Sequence, residues 1–335
     1  MFKTVKIAAL LSILIGIAGV LYIYSYGNNP AGKLKAGVVI EIAPGSSFTA
    51  ISKKLEKSGA VANERMFYLY AKMRGVQSKA KAGEYMIEPS MSVDEILDVL
   101  VKGSVINHRI TIPEGYNLYQ IADLLDEKKI TNKQDFIKKA KDKKLMSKLK
   151  VKGVSFEGYL YPETYFFYKG MNTEEVIRQM VERFHSIFAD DLRKKSKKMG
   201  FTLEEVVTLA SIIEKETGRP EERPLISAAF HNRLKKKMRL QSDPTTIYGI
   251  IETFDGNLRK KDLLQKTPYN TYKISGLPLG PIANPGIESI KAVLNPADVD
   301  YIFFVSKNNG SHIFSETYKE HKKNVWKYQK NRKGR

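Results

Sequence analysis

The longest apolar block in the chain lies near its start, where Ile7 to Tyr26 carries no charged residue. Twenty residues of helix rise about 30 Å, the thickness of a bilayer's hydrocarbon core. The pattern therefore predicts one membrane-spanning helix over 7–26. Tyr22, Tyr24 and Tyr26 cluster at one end, where amphipathic rings favour the interface. Lys3 and Lys6 precede the block, which orients residues 1–6 as a cytoplasmic tail and the remainder outside. A cleaved signal peptide, with Ser25 and Gly27 near the cut, is the alternative, but the block is longer than a signal core of ~7–15 residues. Residues 27–37, with Pro30, Gly32 and Gly37, read as a linker.

Beyond the linker the pattern repeats. Gly45, Ile51 and Leu55 match Gly115, Ile121 and Leu125 at an offset of 70, and Val61, Asn63 and Phe67 match Ile130, Asn132 and Phe136 at 69. Tyr85, Met91, Asp94, Glu95 and Ile96 match Tyr165, Met171, Glu174, Glu175 and Val176 at 80. Each copy reads as strand, turn at Gly, helix, helix, strand, helix, because Ile51/Leu55 and Ile121/Leu125 keep helical spacing while Glu84 to Glu88 alternates and stops at Pro89. Ser92 with Glu95 forms a capping box. The second copy gains about ten residues before its second strand, by the same offsets, and that insertion contains Glu157-Gly158-Tyr159-Leu160-Tyr161-Pro162.

Thr202 to Thr217, TLEEVVTLASIIEKET, reads as a helix with a Thr202/Glu205 capping box and a stop at Gly218 and Pro220. Val206, Leu209, Ala210 and Ile213 make an apolar stripe with Glu214 beside it. Glu216 points roughly 200° away and is expected to be the more exposed. Apolar neighbours and the negative end of the helix both disfavour an ionised Glu214. A carboxyl that keeps its proton near neutral pH is what general-acid cleavage of a glycosidic bond requires. A structural ion pair with Arg219 or Arg223 is the competing reading.

Three loops follow: Leu240 to Thr246, Thr267 to Tyr272 and Gly276 to Gly286. Their Tyr, Asn and Gln residues suit sugars, since rings cover apolar sugar faces and amides bond hydroxyls. The same residue types are also ordinary turn formers. Tyr301 to Ser306 and His312 to Ser315 read as a hairpin about Asn308-Asn309-Gly310, with a basic helix from Tyr318 to Lys330 after it.

Composition narrows the chemistry. The 335 residues include no cysteine, which excludes disulfides, thiolate metal sites and a cysteine nucleophile. No metal-ligand spacing, Gly-x-Ser-x-Gly or phosphate-binding glycine loop appears, so neither metal nor cofactor is expected. The net charge of +20 implies attraction to an anionic partner. The lysines are scattered as solvated faces rather than gathered into a nucleic-acid groove, and no nucleic acid is expected.

The motifs Glu157 to Pro162, Ala210 to Glu216, Gln241 to Thr245, Pro268 to Tyr272, Gly280 to Gly286 and His312 to Ser315, in this order, resemble the YceG-like family. Leu279 stands where a proline is expected, a small departure in one turn. The resemblance implies an α+β protein with a LysM-like subdomain over 38–109 and a lytic transglycosylase domain over 110–335. It implies that Glu214 protonates the oxygen bridging N-acetylmuramic acid and N-acetylglucosamine, then helps the muramoyl 6-hydroxyl attack C1, leaving a 1,6-anhydro end. Glu157, Tyr159, Gln241, Ser242, Asp243, Thr245, Tyr269, Asn270 and Asn284 are expected to line the glycan groove. The implied partners are peptidoglycan strands, the cytoplasmic membrane on its outer side, and synthases or division and elongation proteins. A non-catalytic glycan-binding scaffold is the alternative. A hydrolase would call for a second carboxylate ~5–9 Å from the first, with Asp243 the nearest candidate.

Overall fold

The computed structural model of the chain describes residues 2–330; the side chains of residues 2–9 and 12 lie outside that description. The elements run α1 (Phe2–Asn28), β1 (Val38–Ile42), α2 (Phe48–Lys57), α3 (Glu64–Met73), β2 (Gly83–Ile87), α4 (Val93–Lys102), β3 (His108–Thr111), α5 (Leu118–Glu127), α6 (Lys133–Ala140), α7 (Lys143–Lys148), β4 (Thr164–Phe167), α8 (Thr173–Ile187), α9 (Asp190–Lys198), α10 (Leu203–Glu216), α11 (Arg223–Lys235), α12 (Asp243–Gly249), α13 (Lys260–Leu263), α14 (Ile287–Leu294), β5 (Phe303–Ser306), β6 (His312–Ser315) and α15 (Tyr318–Val325). Among the described residues the strands make three separate two-stranded sheets, β1–β2, β3–β4 and β5–β6. The class is α+β. The order strand, helix, helix, strand, helix occurs twice, from β1 to α4 and from β3 to α8, with α7 inside the added stretch of the second copy.

The chain divides into two compact units. The first holds residues up to Arg109 with Lys128–Ile130 and Phe166–Met171. In it β1 pairs antiparallel with β2 from Val38↔Ile87 to Ile42↔Gly83. Period-2 alternation aims Ile40, Ile42, Tyr85 and Ile87 inward, where they meet Ile51, Leu55, Phe67 and Ile96. Phe48 stacks on Phe67 with ring centroids 5.7 Å apart. Helix starts are fixed by side-chain caps: Ser47 on Ala50, Asn63 on Met66, and the full Ser92/Glu95 box on α4.

The stretch expected to be a free linker is instead packed. α1 continues to Asn28, Pro30 bridges to Ser92, and Ala31 is buried, donating to Met91 O at 3.0 Å and accepting from Ala62 N at 2.7 Å. Its proline and glycine content suggested looseness, but Pro30 needs no amide partner, and Gly32 lies where a Cβ would meet the Gly59 and Ala60 carbonyls. Tyr26 meets Tyr70 edge-on at 5.8 Å, so α1 enters the unit directly. Among the described residues no helix is long and apolar enough to cross a membrane. The side chains of Ile7, Ala8, Ala9 and Ser12, within the stretch expected to span, and those of the tail through Lys6 lie outside the described set.

The second unit holds Ile110–Glu127, Thr131–Tyr165 and the chain from Asn172 on. α10 is its axis, packed against α9, α11, α12 and α14. Every residue from Val206 to Ile213 is buried, Thr208 and Ser211 included, so the helix is enclosed on all sides rather than along one stripe. Ser211 Oγ answers its own burial by bonding Thr208 O at 2.7 Å and accepting the Ile282 N–H at 3.0 Å. The hairpin β5–β6 is antiparallel, Phe303↔Ser315 to Ser306↔His312. Glu222, just before α11, accepts from His312 N at 2.9 Å and bonds its Nδ1 at 2.7 Å, tying the hairpin to the helix start.

The Thr202/Glu205 box is fully formed at the start of α10. Thr202→Ala is expected to lower unfolding free energy by about 1 kcal/mol, read by urea denaturation, with no change in the denaturant slope.

Candidate active site

Glu214 lies in the last turn of α10, and its side chain is 8% exposed. The long apolar run of α10 drives this helix end into the protein, and the carboxylate meets two donors there. Oε1 accepts from Arg223 Nη2 at 3.4 Å and Oε2 accepts the Gly286 N–H at 3.0 Å. Arg223, opening α11, is fixed by its Nε on Ser289 Oγ at 3.1 Å. Arg219, the other pairing candidate, donates to Asn309 O at 3.3 Å.

A second carboxylate that the sequence reading passed over stands beside this pair. Glu114 precedes the Gly115 turn, half exposed, with Oε2 3.8 Å from the same Arg223 Nη2. Burial pushes its carboxyl up from the ordinary value, the charges of Glu214 and Glu288 add to that, and Arg223 opposes it. The Glu114 carboxylate packs directly over the Gly286 backbone, in the space a Cβ there would take. The repeat carried a signal for Glu114, because the equivalent position of the first copy is Pro44.

Glu216 is not the solvent-facing residue that helical periodicity placed opposite Glu214. It accepts from Ser242 Oγ at 2.6 Å, and burial pushes its carboxyl up. The polar loop after α11 folds over this face of α10, which single-helix geometry could not anticipate.

Glu157 is corrected from groove residue to buried brace. It is 1% exposed. Its oxygens accept the Leu118 N–H at 2.9 and 3.1 Å, the Tyr248 hydroxyl at 2.9 Å and Asn284 Nδ2 at 2.9 Å. Burial pushes its carboxyl up to about 7 even though all these donors favour the charge. Asn284, fully buried, also donates to Tyr116 O at 2.9 Å, accepts from Leu160 N at 2.9 Å, and takes the Gly115 N–H on its own carbonyl at 2.9 Å. Gly158, at φ 86°, sits where a Cβ would lie 2.6 Å from both Val207 and Pro281, so the Glu157 turn is pressed onto α10. The brace therefore sets the Gly115 turn and, two residues beyond Asn284, the Gly286 amide, which both flank Glu214.

Other expected groove residues are buried as well. Tyr159, 2% exposed, packs edge-on against Phe184 at 5.0 Å. Thr271 Oγ1 accepts the Ser242 N–H at 3.0 Å and pairs with the Thr245 hydroxyl at 2.8 Å, while the Ser242 hydroxyl donates to Glu216. Asn270 accepts from Thr246 Oγ1 at 3.0 Å and donates to Leu263 O and Gln265 O at 3.1 and 2.7 Å. These side chains satisfy one another, so turn and network chemistry won over sugar contact. Gln241, at φ 51°, and Asp243 remain exposed, the latter accepting from the Tyr272 hydroxyl at 2.7 Å. Tyr269 is half-buried, edge-on to Tyr248 at 4.8 Å.

Two open clefts of about 590 and 520 Å³ adjoin, sharing Tyr119, Tyr248, Ile251 and Glu252. Asn117, Lys215, Pro244 and Ile282 line the first, and Val154, Pro268 and Tyr269 line the second. Lys215 follows Glu214 in the chain and donates to Gly115 O at 3.3 Å, so the turn that flanks Glu214 continues into the cleft wall. Three tyrosine rings and a few amides along an elongated, half-apolar trough suit a polysaccharide. Among the described residues no group of three or more His, Asp or Glu side chains is placed to hold a metal ion.

The Glu157 carboxyl holds its proton more tightly in the fold than at its ordinary value of 4.5. Its contribution to stability is therefore complete below about 4.5 and is lost as pH rises through about 7. Relative to Glu157→Gln, which cannot ionise, the protein is expected to lose stability on the order of 3 kcal/mol over this range. Melting curves of both proteins against pH check this, and a constant difference between them would refute it.

A family model described as the YceG-like family matches residues 40–327. The endolytic murein transglycosylase of Bacillus subtilis (strain 168) is 36% identical over 310 residues, covering 88% of this chain and 85% of that protein. The endolytic murein transglycosylase of Streptococcus pneumoniae (strain ATCC BAA-255 / R6) is 30% identical over 325 residues, covering 87% of this chain but only 58% of that longer protein. A 2.6 Å crystal structure of a yceG-like protein from Listeria monocytogenes superposes with a TM-score of 0.60 at 34% identity, covering 87% of this chain and 99% of that one. With the family's model spanning most of its length and a relative matched over nearly the whole of both sequences, this chain belongs to the YceG-like family.

Proposed function

We propose that this protein is an endolytic murein transglycosylase, cutting the β-1,4 bond between N-acetylmuramic acid and N-acetylglucosamine inside nascent peptidoglycan strands and ending their elongation. The observation that carries this is Glu214, a nearly buried carboxyl at the end of the central helix, held by Arg223 and the Gly286 amide next to a tyrosine-lined trough. In the protonated state Glu214 gives its proton to the bridging oxygen. The C1–O bond breaks, and its electron pair stays on the departing N-acetylglucosamine oxygen. Positive charge at C1 is then met by the muramoyl 6-hydroxyl oxygen, which bonds to C1 and loses its proton to the enzyme. No water is consumed, so the products are a free 4-hydroxyl and a 1,6-anhydro end, and the reaction is a lyase reaction. The rigid brace through Glu157 and Asn284 holds the surrounding turns in place.

The first unit's strand-helix-helix-strand order reads as a LysM-like module that holds glycan. The chain from Ile7 to Tyr26 reads as a single-pass anchor, placing the reaction on the outer side of the cytoplasmic membrane. Leu10, Leu11, Ile13, Leu14, Ile15, Ile17, Val20 and Leu21 are all exposed, an apolar surface that water tolerates poorly. α3 adds exposed Leu69 and Met73 near its meeting with α1. Synthases and division or elongation proteins are natural partners for an enzyme working on strands as they emerge.

Incubating purified peptidoglycan with the detergent-solubilised full chain is expected to release fragments with 1,6-anhydro-muramoyl ends. Glu214→Gln is expected to lower the rate by about 100-fold or more with melting temperature unchanged. A non-catalytic scaffold would release no anhydro ends, a hydrolase would release reducing ends, and a fully active Glu214→Gln would refute the assignment. Separately, membranes washed with high salt and carbonate are expected to retain the full chain and to release a chain that begins at Asn29.

A further inference from the structure

A peptidoglycan strand alternates two sugars joined by the same β-1,4 link, so an enzyme that cuts after N-acetylmuramic acid must tell one link from the next. The sugars differ at one place. The muramoyl residue carries a lactyl substituent, which ends in a carboxyl or continues into a peptide that bears carboxyls. We infer that Lys215 is the specificity-determining residue of the trough. Its ammonium holds a carboxylate of the muramoyl substituent and so sets the muramoyl C1–O bond, and not that of N-acetylglucosamine, before Glu214. The inference rests on the assignment of Glu214 as the acid.

Placement carries it. Lys215 follows Glu214 in the last turn of α10, is exposed, and lines the larger cleft. Both side chains wrap the Gly115 turn: a Cβ there would lie 3.5 Å from Glu214 Cγ, 3.7 Å from Lys215 Cδ and 4.0 Å from Lys215 Nζ. Acid and ammonium thus flank a single glycine, close enough for one sugar residue to meet both. Gly115 O takes one ammonium hydrogen at 3.3 Å, which holds the side chain against the turn and leaves its other hydrogens for the cleft.

The other charges of the trough leave this role to Lys215. Lys133 pairs with Asp123. Lys141, in the second cleft, donates to the Tyr119 hydroxyl at 3.2 Å, with its ammonium 5.3 Å from the centre of that ring. Among the described residues Lys215 has a backbone carbonyl and no carboxylate as partner. Glu252, exposed where the two clefts meet, repels an anion. Pro244, Ile282 and Tyr248 share the cleft wall with Lys215, and Tyr248 is held in place by its hydroxyl on Glu157 at 2.9 Å. A sugar resting on these surfaces displaces water, and an ammonium attracts a carboxylate more strongly with less water between them. A strand slipped by one residue brings N-acetylglucosamine to Lys215, where the ammonium gains no carboxylate. Chitin, N-acetylglucosamine throughout, offers none in any register.

The test counts anhydro ends released by the full chain from strands of defined chemistry: with their peptides, with the peptides removed by an amidase so that the lactyl carboxyl is free, and with the carboxyls of each converted to methylamides. The unmodified protein is expected to lose about tenfold in kcat/KM on methylamide strands, through KM. Lys215→Met is expected to lose about tenfold on the carboxylate strand that Lys215 reads and nothing further on its methylamide. Lys215→Arg is expected to keep most of the efficiency on the carboxylate strand. Loss on peptide-bearing strands assigns the carboxylate to the peptide, and loss on stripped strands assigns it to the lactyl group. Equal loss by Lys215→Met on carboxylate and methylamide strands would reduce Lys215 to its bond with Gly115 and overturn the inference. Full efficiency of the unmodified protein on methylamides, or of Lys215→Met on every strand, would overturn it too. These results leave Glu214 as the acid; an active Glu214→Gln would instead overturn the reading beneath.

Discussion

A buried carboxyl group whose oxygens must be satisfied by several backbone segments organises this enzyme. Glu157 is enclosed completely, yet its two oxygens are met by an amide from the start of α5, a hydroxyl from α12 and a side-chain amide from the loop before α14. An unpaired carboxylate at such a position costs several kcal/mol, so the surrounding segments are held to the one arrangement that satisfies it. That arrangement fixes Asn284, and Asn284 fixes both the Gly115 turn and the approach to Gly286. The surroundings of Glu214 are thus set from beneath. Glu214 does not position its neighbours; the brace does.

The second organising feature is the enclosure of α10. A helix with buried residues on every face has no freedom to rotate or slide without opening cavities, and its last turn delivers Glu214 to a fixed place. Partners for the carboxylate arrive from two other helices, Arg223 opening α11 and Gly286 preceding α14. The same enclosure captures Glu216, whose bond to Ser242 anchors the loop leading to α12. Two glutamates on opposite faces of one helix therefore have separate surroundings, one beside Arg223 and the Gly286 amide and one under a loop.

The two copies of the internal repeat differ where they meet the candidate site. Both copies share the order strand, helix, helix, strand, helix, and the first closes over an apolar core. In the second copy two local changes matter. An insertion before β4 carries Glu157 and Gly158 onto the side of α10, and the turn position held by Pro44 in the first copy holds Glu114 in the second. A unit of unchanged topology thereby supplies the brace and the Gly115 turn beside Glu214.

The sequence by itself determined the local structure. Element order follows from periods of 2.0 and 3.6 and from caps at Ser92 and Thr202, because these depend on residues within a few positions of one another. It also pointed to Glu214, through its place beside the apolar stripe of α10 and within the Ala210–Glu216 motif. Only the tertiary structure decided which polar residues face solvent and which face each other. Glu157, Tyr159, Ser242, Thr245, Asn270 and Asn284 were expected to line the glycan groove, yet they are buried, most of them in side-chain hydrogen-bond networks assembled from segments up to 168 positions apart. The meeting of Glu114, Glu214 and Arg223 is of the same kind. Charge balance at a site is a property of distances in space, and no spacing along the chain encodes it.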